Sequence, residues 1–349
     1  MNHSNIGTSR LTAQHVVQAD FASPEDVVRH MGAMQAQDYA GAKWSIGLRT
    51  KNCTATDVEQ AVADRKIVRT WPQRGTIHFV VPEELRWRLQ LSTPRILAAA
   101  KRRHENLDLT QADFDKARDL FYRALQGDKQ LSRSALMQLL DTNGIPAAGQ
   151  RGYHILWYLA QTGHLCFGPL EGKQVTFALL DDWVPAVPEI SRDEALHRLV
   201  EKYFVSHGPA PLHDLAWWSG LTVADVKKGL EMAKTSLEAI VVSDTTYYLA
   251  RGLEPLESPG TFLLPGFDEF VLGYKNRSAV LPLEHASKVC PGGNGIFLPT
   301  IVQDGQIIGT WKRKVRSSGT SVEPTYFVSE MAGTNLENPI TRYTQFQSL

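Results

Sequence analysis

Residues 192–250, RDEALHRLVEKYFVSHGPAPLHDLAWWSGLTVADVKKGLEMAKTSLEAIVVSDTTYYLA, decide the fold. Leu196, Leu199, Val200 and Phe204 recur at helical spacing across 193–206, and Gly208-Pro209 ends that helix. A second short helix over 212–218 closes at Ser219-Gly220. Thr222 is then a natural N-cap for a third helix over 223–230, with Asp225 in capping-box position. Two β-rich runs, 237–242 and 246–250, are joined by Ser243-Asp244-Thr245. Three helices with a tight turn between the last two, followed by a hairpin, make a winged helix-turn-helix, whose third helix normally enters a DNA groove.

The same plan recurs upstream. Phe114, Ala117, Leu120, Phe121 and Leu125 share one face of a helix over 111–126, and Ser132 caps a second over 133–140. Asn143-Gly144-Ile145-Pro146 forms the turn, 152–162 the third helix, and 164–167 with 174–180 a hairpin. The first hundred residues fit the plan less cleanly, with helices over 24–34 and 56–64 and a hairpin of 67–71 and 76–81 turning at Pro72-Gln73-Arg74-Gly75. After Leu256 short strand-like runs alternate with glycine and proline, and Asp304-Gly305 between apolar runs is a strong hairpin signal. The expected fold is therefore α+β. It has three tandem winged helix-turn-helix units (1–108, 109–188 and 189–255) and a small β-barrel-like C-terminal domain (256–349).

At 349 residues, with 43% hydrophobic and 21% charged residues, the composition is that of a globular protein with room for several cores. No apolar run approaches bilayer length and the N-terminus lacks an apolar signal region, so a cytoplasmic protein without membrane association is expected. Cys53, Cys166 and Cys290 are odd in number, far apart and without a C-x-x-C pair, which fits reduced thiols rather than a disulfide framework or zinc site. Lys+Arg and Asp+Glu both number 37, which argues against indiscriminate coating of nucleic acid but not against a local basic face. Arg86, Arg88, Arg95, Lys101, Arg102 and Arg103 form one cluster and Lys312, Arg313, Lys314 and Arg316 another. Each is either a solvated face or a phosphate contact.

Gln35 and Gln37, at i and i+2 in Gln35-Ala36-Gln37-Asp38, follow an amphipathic segment. In an extended backbone they project to one side, and each amide donates and accepts at once. That suits holding a water against a cationic reacting group, reading a base edge, or capping a helix. His78 alternates with Ile77 and Phe79, so it faces solvent, DNA or the glutamines. The adjacent acids Asp268 and Glu269 point apart, and a turn or domain-interface role with Arg277 or Lys275 is expected of them. Trp217-Trp218 reads as core, and His207 and His213 as cap or turn residues. No P-loop, nucleophile elbow or H-E-x-x-H is present, so phosphoryl transfer, serine hydrolysis and zinc proteolysis have no support.

Four motifs in order along the chain resemble the AlkZ-type winged-helix DNA glycosylases over nearly its full length. They are Gln35-Ala36-Gln37-Asp38 followed by Trp44; Arg74-Gly75-Thr76-Ile77-His78; 264–274 (LPGFDEFVLGY); and 304–311 (DGQIIGTW). The resemblance implies excision of bulky N-alkylated purines and unhooking of interstrand crosslinks, by a monofunctional glycosylase without cofactor or metal. It makes Gln35 and Gln37 the catalytic residues; the related branch with aspartate in place of the second glutamine is not matched. It also implies a C-shaped cradle for double-stranded DNA carrying bulky or charged adducts, without a deep base-flipping pocket. Asp38, Trp44, Arg74, His78, Arg86, Arg102, Arg103, Lys312, Arg313 and Lys314 then line the site or touch DNA. The chemistry needs no carboxylate: N7-alkylation gives guanine its positive charge, and two amides orient water and support an oxocarbenium-like sugar. Such an enzyme is expected to be a monomer in the cytoplasm, associated with the nucleoid. A non-catalytic DNA-binding regulator would instead bind undamaged DNA selectively and release no base, and a protein-interaction module would show no salt-dependent duplex affinity.

Overall fold

The computed structural model describes residues 3–316 and 319–348, without the side chains of residues 3, 4, 315, 316 and 319. The chain divides into two compact units, one of residues 59–195 and one built from 1–58 together with 196–349.

The central unit carries helices Gln111–Leu125, Arg133–Thr142 and Arg151–Gln161, then the strands Leu165–Glu171 and Gln174–Leu179. Thr110 and Asp113 complete a reciprocal capping box at the first helix, and the Ser132 side chain accepts from the Ala135 N–H at the second. The 3.6-residue stripe identified in the sequence is the buried face: Phe114, Phe121 and Leu125 join Leu136, Leu156, Phe167 and Phe177 in one cluster. Phe114 stacks on Tyr158 with ring centroids 3.8 Å apart. The hairpin Val68–Gln73 and Thr76–Val80 meets the second hairpin edge to edge, with Arg69 opposite Phe167. The strands run in the order 76–80, 68–73, 165–171, 174–179, 131–132. Pairing two hairpins covers an edge that each would otherwise expose. A 25-residue helix, Pro82–Asn106, lies beyond the first hairpin and carries Pro94 in its interior. Tertiary packing offsets the proline's cost: Leu85, Leu89 and Leu91 are buried, and the Ser92 hydroxyl donates to the Pro72 carbonyl at 2.6 Å.

The other unit opens with helices His3–Ala13, Pro24–Met31 and Tyr39–Gly47 and resumes within the helix Arg192–His207. Leu212–Ser219, Val223–Met232 and the hairpin Leu237–Val242 with Thr245–Ala250 follow in the order read from the sequence. Beyond them, Thr261–Leu264, Thr300–Gln303, Gln306–Arg316 and Gly319–Tyr326 form a four-stranded antiparallel sheet, closed off by the helix Glu337–Gln347. The sheet corrects the expectation of a barrel. Its strands run 319–326, 306–316, 300–303, 261–264, so the outermost two are not paired with each other and no closed barrel forms among the described residues. Asp304 (φ +48°) and Gly305 (φ +80°) make the expected tight turn, and glycine there has a second reason. A Cβ on Gly305 would lie 2.4 Å from the Thr8 backbone nitrogen, so the first helix packs on the bare turn.

His30, in the helix Pro24–Met31, donates from Nε2 to the Ala13 carbonyl at 2.7 Å and meets the His15 ring edge-on. Burial pushes its pKa down from 6.5 to about 4. The neutral imidazole is the folded form, so the contribution of His30 is complete above pH 6.5. It is lost as the pH falls towards 4, where the unfolded chain binds a proton that the folded chain refuses. Between pH 7.5 and pH 4.5, urea unfolding is expected to show a loss that is roughly 2 kcal/mol larger in the wild type than in His30→Gln. An equal loss in wild type and variant would contradict it.

Candidate functional site

The helix preceding the two glutamines ends at Met31, short of the Met34 expected from the sequence. Ser23 caps its start by accepting from the Asp26 N–H, and Gly32 at φ +80° ends it, its N–H donating to the Val28 carbonyl. The chain then extends. Met34–Gln35 is a two-residue strand, and Asp38 is the N-cap of the next helix, its carboxylate accepting from the Gly41 N–H at 3.2 Å. Between these two caps, burial alternates. Met34 and Ala36 are buried, Gln35 is half-buried and Gln37 is exposed. Gln35 thus lies on a short strand and Gln37 on the bend that follows, between two helix termini.

The backbone beneath Gln35 is held by Glu269, for which the sequence predicts a turn or domain-interface role. The Gln35 N–H donates to Glu269 Oε1 at 3.0 Å, and the Trp218 indole donates to Glu269 Oε2 at 2.9 Å. The fully buried His207 imidazole places Nε2 3.5 Å from the same Oε2, and burial lowers its pKa although Glu269 works the other way. Asp268 faces the opposite direction, as adjacent residues do. Arg49 grips it through both guanidinium nitrogens at 2.9 Å, and the Ser45 hydroxyl donates to it at 2.6 Å, with acid and base fully buried. Arg49 also donates to the Gln14 side chain at 2.7 Å, and Gln14 donates to Tyr274 OH at 3.0 Å. The partners expected from sequence, Arg277 and Lys275, are engaged elsewhere: Arg277 Nε donates to the Val271 carbonyl at 2.7 Å, and the Lys275 backbone N–H to Asp214. A sequence signal for this existed. Two acids inside LLPGFDEFVL are surrounded by apolar residues, and acids buried with them oblige partners.

The other candidates fall into separate settings. Trp44 is 2% exposed, donates to the Leu263 carbonyl at 2.7 Å and packs its ring against Tyr343 and Phe346. In the central unit, Arg74 sits at the hairpin turn with φ +53°, its Nη2 3.4 Å from His78 Nε2, while His78 Nδ1 donates to the Thr76 carbonyl at 2.9 Å. His78 is completely buried, which removes its solvent-facing alternative. Arg86 pairs with Asp181 at 2.8 Å, and Arg88 is buried against Glu84, so the first basic cluster is smaller than its sequence suggests. Arg95, Lys101, Arg102 and Arg103 are exposed on the helix Pro82–Asn106, Arg103 donating to Gln150 at 2.7 Å. Lys312, Arg313 and Lys314 are exposed on a strand, where Lys314 pairs with Glu323 and Arg313 donates to Gln347 at 3.2 Å. The Arg316 side chain lies outside the described residues.

Comparison with known proteins agrees with this frame. The interstrand DNA cross-link repair glycosylase of Streptomyces sahachiroi is 27% identical over 310 residues, covering 83% of this chain and 82% of the relative. The solved structure of Streptomyces sahachiroi DNA glycosylase AlkZ superposes with a TM-score of 0.78 at 23% identity, over 99% of this chain and 96% of that one. The model of the family described as DNA glycosylase AlkZ-like matches residues 28–346, from just before the paired glutamines to the C-terminal helix, and the chain belongs to that family.

Proposed function

We propose that this protein hydrolyses the N-glycosidic bond of N7-alkylated purines in double-stranded DNA and unhooks interstrand crosslinks made through that position. The observation that carries the reading is the pair Gln35 and Gln37, set between two helix termini in a member of a DNA glycosylase family. One amide oxygen accepts a hydrogen bond from the attacking water, and the other faces the positive charge that builds on the sugar as the base departs. Neutral amides are feeble bases and cannot protonate a leaving group. The alkyl group has already made the base cationic, so the lesion brings its own activation, and intact adenine or guanine stays in place. Cleavage is monofunctional, leaving an unbroken abasic strand. The enzyme works as a monomer on nucleoid DNA. The helix-helix-helix-hairpin units at 111–179 and 192–250 act as winged helices against the duplex. A duplex with a single N7-methylguanine, a nitrogen-mustard crosslinked duplex and an undamaged duplex test the reading together. Alkali-labile abasic sites from the first two and none from the third are expected. No base release from any damaged duplex would overturn it.

The exposed cations at the end of the helix Pro82–Asn106 supply phosphate contacts in this reading. Reversing Lys101 and Arg102 to Glu is expected to raise the Kd for duplex at least tenfold at about 0.15 M salt. The slope of log K against log salt should also fall by about 1 for each phosphate no longer neutralised. An unchanged slope in a fluorescence-anisotropy titration would exclude these residues from the interface.

A further inference from the structure

We infer that Glu269 is a positioning residue for the glutamine site: its buried carboxylate fixes the backbone of Gln35 and so sets where the Gln35 amide reaches. The inference rests on the proposed glycosylase reading and adds a residue to it. Glu269 is 1% exposed, and N–H groups from two distant segments donate to its carboxylate. The Gln35 amide donates to one oxygen at 3.0 Å and the Trp218 indole to the other at 2.9 Å.

The consequence follows from how short the supported element is. Met34–Gln35 has two residues between a helix that stops at Gly32 and a helix capped at Asp38, and Glu269 holds its Gln35 N–H. A charge-assisted bond from a rigid, buried carboxylate is stronger than an amide-to-carbonyl bond. Glu269 is itself rigid, because it is the first residue of the short helix Glu269–Leu272, whose cap, Asp268, is locked by Arg49. Two adjacent acids thus divide one task. Asp268 anchors the helix, and Glu269 reaches from that anchor to the segment bearing the catalytic amide. Catalysis by a neutral amide depends on placement rather than on proton transfer, so a displacement of about 1 Å costs up to about a hundredfold in rate.

Glu269→Gln keeps the shape but offers one acceptor oxygen and an NH2 group to the same donors, so the Gln35 bond or the Trp218 bond is weakened. On N7-methylguanine duplex, kcat is expected to fall ten- to a hundredfold with the KM and the Kd for undamaged duplex within twofold of wild type. The Gln35 amide proton, followed by NMR, is expected to move upfield. The deciding measurement is a double-mutant cycle with Gln35→Ala: once the side chain is gone its placement no longer matters, so Gln35→Ala/Glu269→Gln should be no slower than Gln35→Ala alone. If Glu269→Gln fails to fold, Glu269→Asp, which keeps the charge and withdraws it by one methylene, takes its place in the same cycle. Additive losses, or wild-type kcat in the folded variant, would overturn the inference while leaving the glycosylase reading intact. Inactivity of the wild-type protein on every damaged duplex would overturn the reading itself.

Discussion

Replacing Gln35 or Gln37 with Ala is expected to lower the rate of N7-methylguanine release by about 10²–10³-fold for either residue, with binding of the damaged duplex nearly unchanged. The split follows from the chemistry. An amide that orients water and faces a developing cation acts in the transition state, and a group acting only there lowers kcat and kcat/KM together. Neither side chain is part of the core: Gln35 is half-buried and Gln37 exposed, so the variants keep their fold. The two losses should not sum, because the neighbouring amides act on one transition state. Gln37→Asp is the more discriminating change, since it sets a carboxylate where the second amide stood while shortening the side chain. Single-turnover base release, scored as alkali-labile strand breaks, measures each variant. Wild-type rates in both Ala variants would remove the glutamines from the mechanism.

Replacing Arg49 with Met is expected to destabilise the protein by about 3–5 kcal/mol, the cost of stranding a buried charge without its partner. Arg49 is completely buried and holds Asp268 through two bonds of 2.9 Å, the Ser45 carbonyl at 2.8 Å, and the Gln14 carbonyl and side chain at 3.0 and 2.7 Å. Removing it leaves a buried carboxylate with the Ser45 hydroxyl and the Phe270 N–H as its donors. Arg49→Met/Asp268→Asn is expected to recover part of the loss, because the stranded charge goes with its partner. Thermal and urea unfolding of the two variants check this, and a loss under about 1 kcal/mol in Arg49→Met would mean that the pair is not the anchor described.

Much of the architecture was legible because it depends on local rules. Helices with apolar residues at i, i+3, i+4 and i+7, capped by Thr110, Ser132 and Thr222, were placed to within one or two residues, as was the 237–242 and 245–250 hairpin. The helix Pro82–Asn106 was not, because only its neighbours compensate for Pro94. The open form of the C-terminal sheet was not either, since closure depends on which edge strands meet, and strand spacing is silent about that.

The site divides in the same way. By itself the sequence determined that a helix precedes the i, i+2 pair Gln35 and Gln37, whereas the early stop at Gly32, short of the expected Met34, appears only in the structure. Only the tertiary structure decided what holds them. Glu269 is 234 positions from Gln35, and Asp268 is 219 from Arg49, distances over which no periodicity carries information. The apolar context of Asp268-Glu269 demanded partners for both acids; folding chose them by bringing two distant N–H groups to one carboxylate and a buried guanidinium to the other.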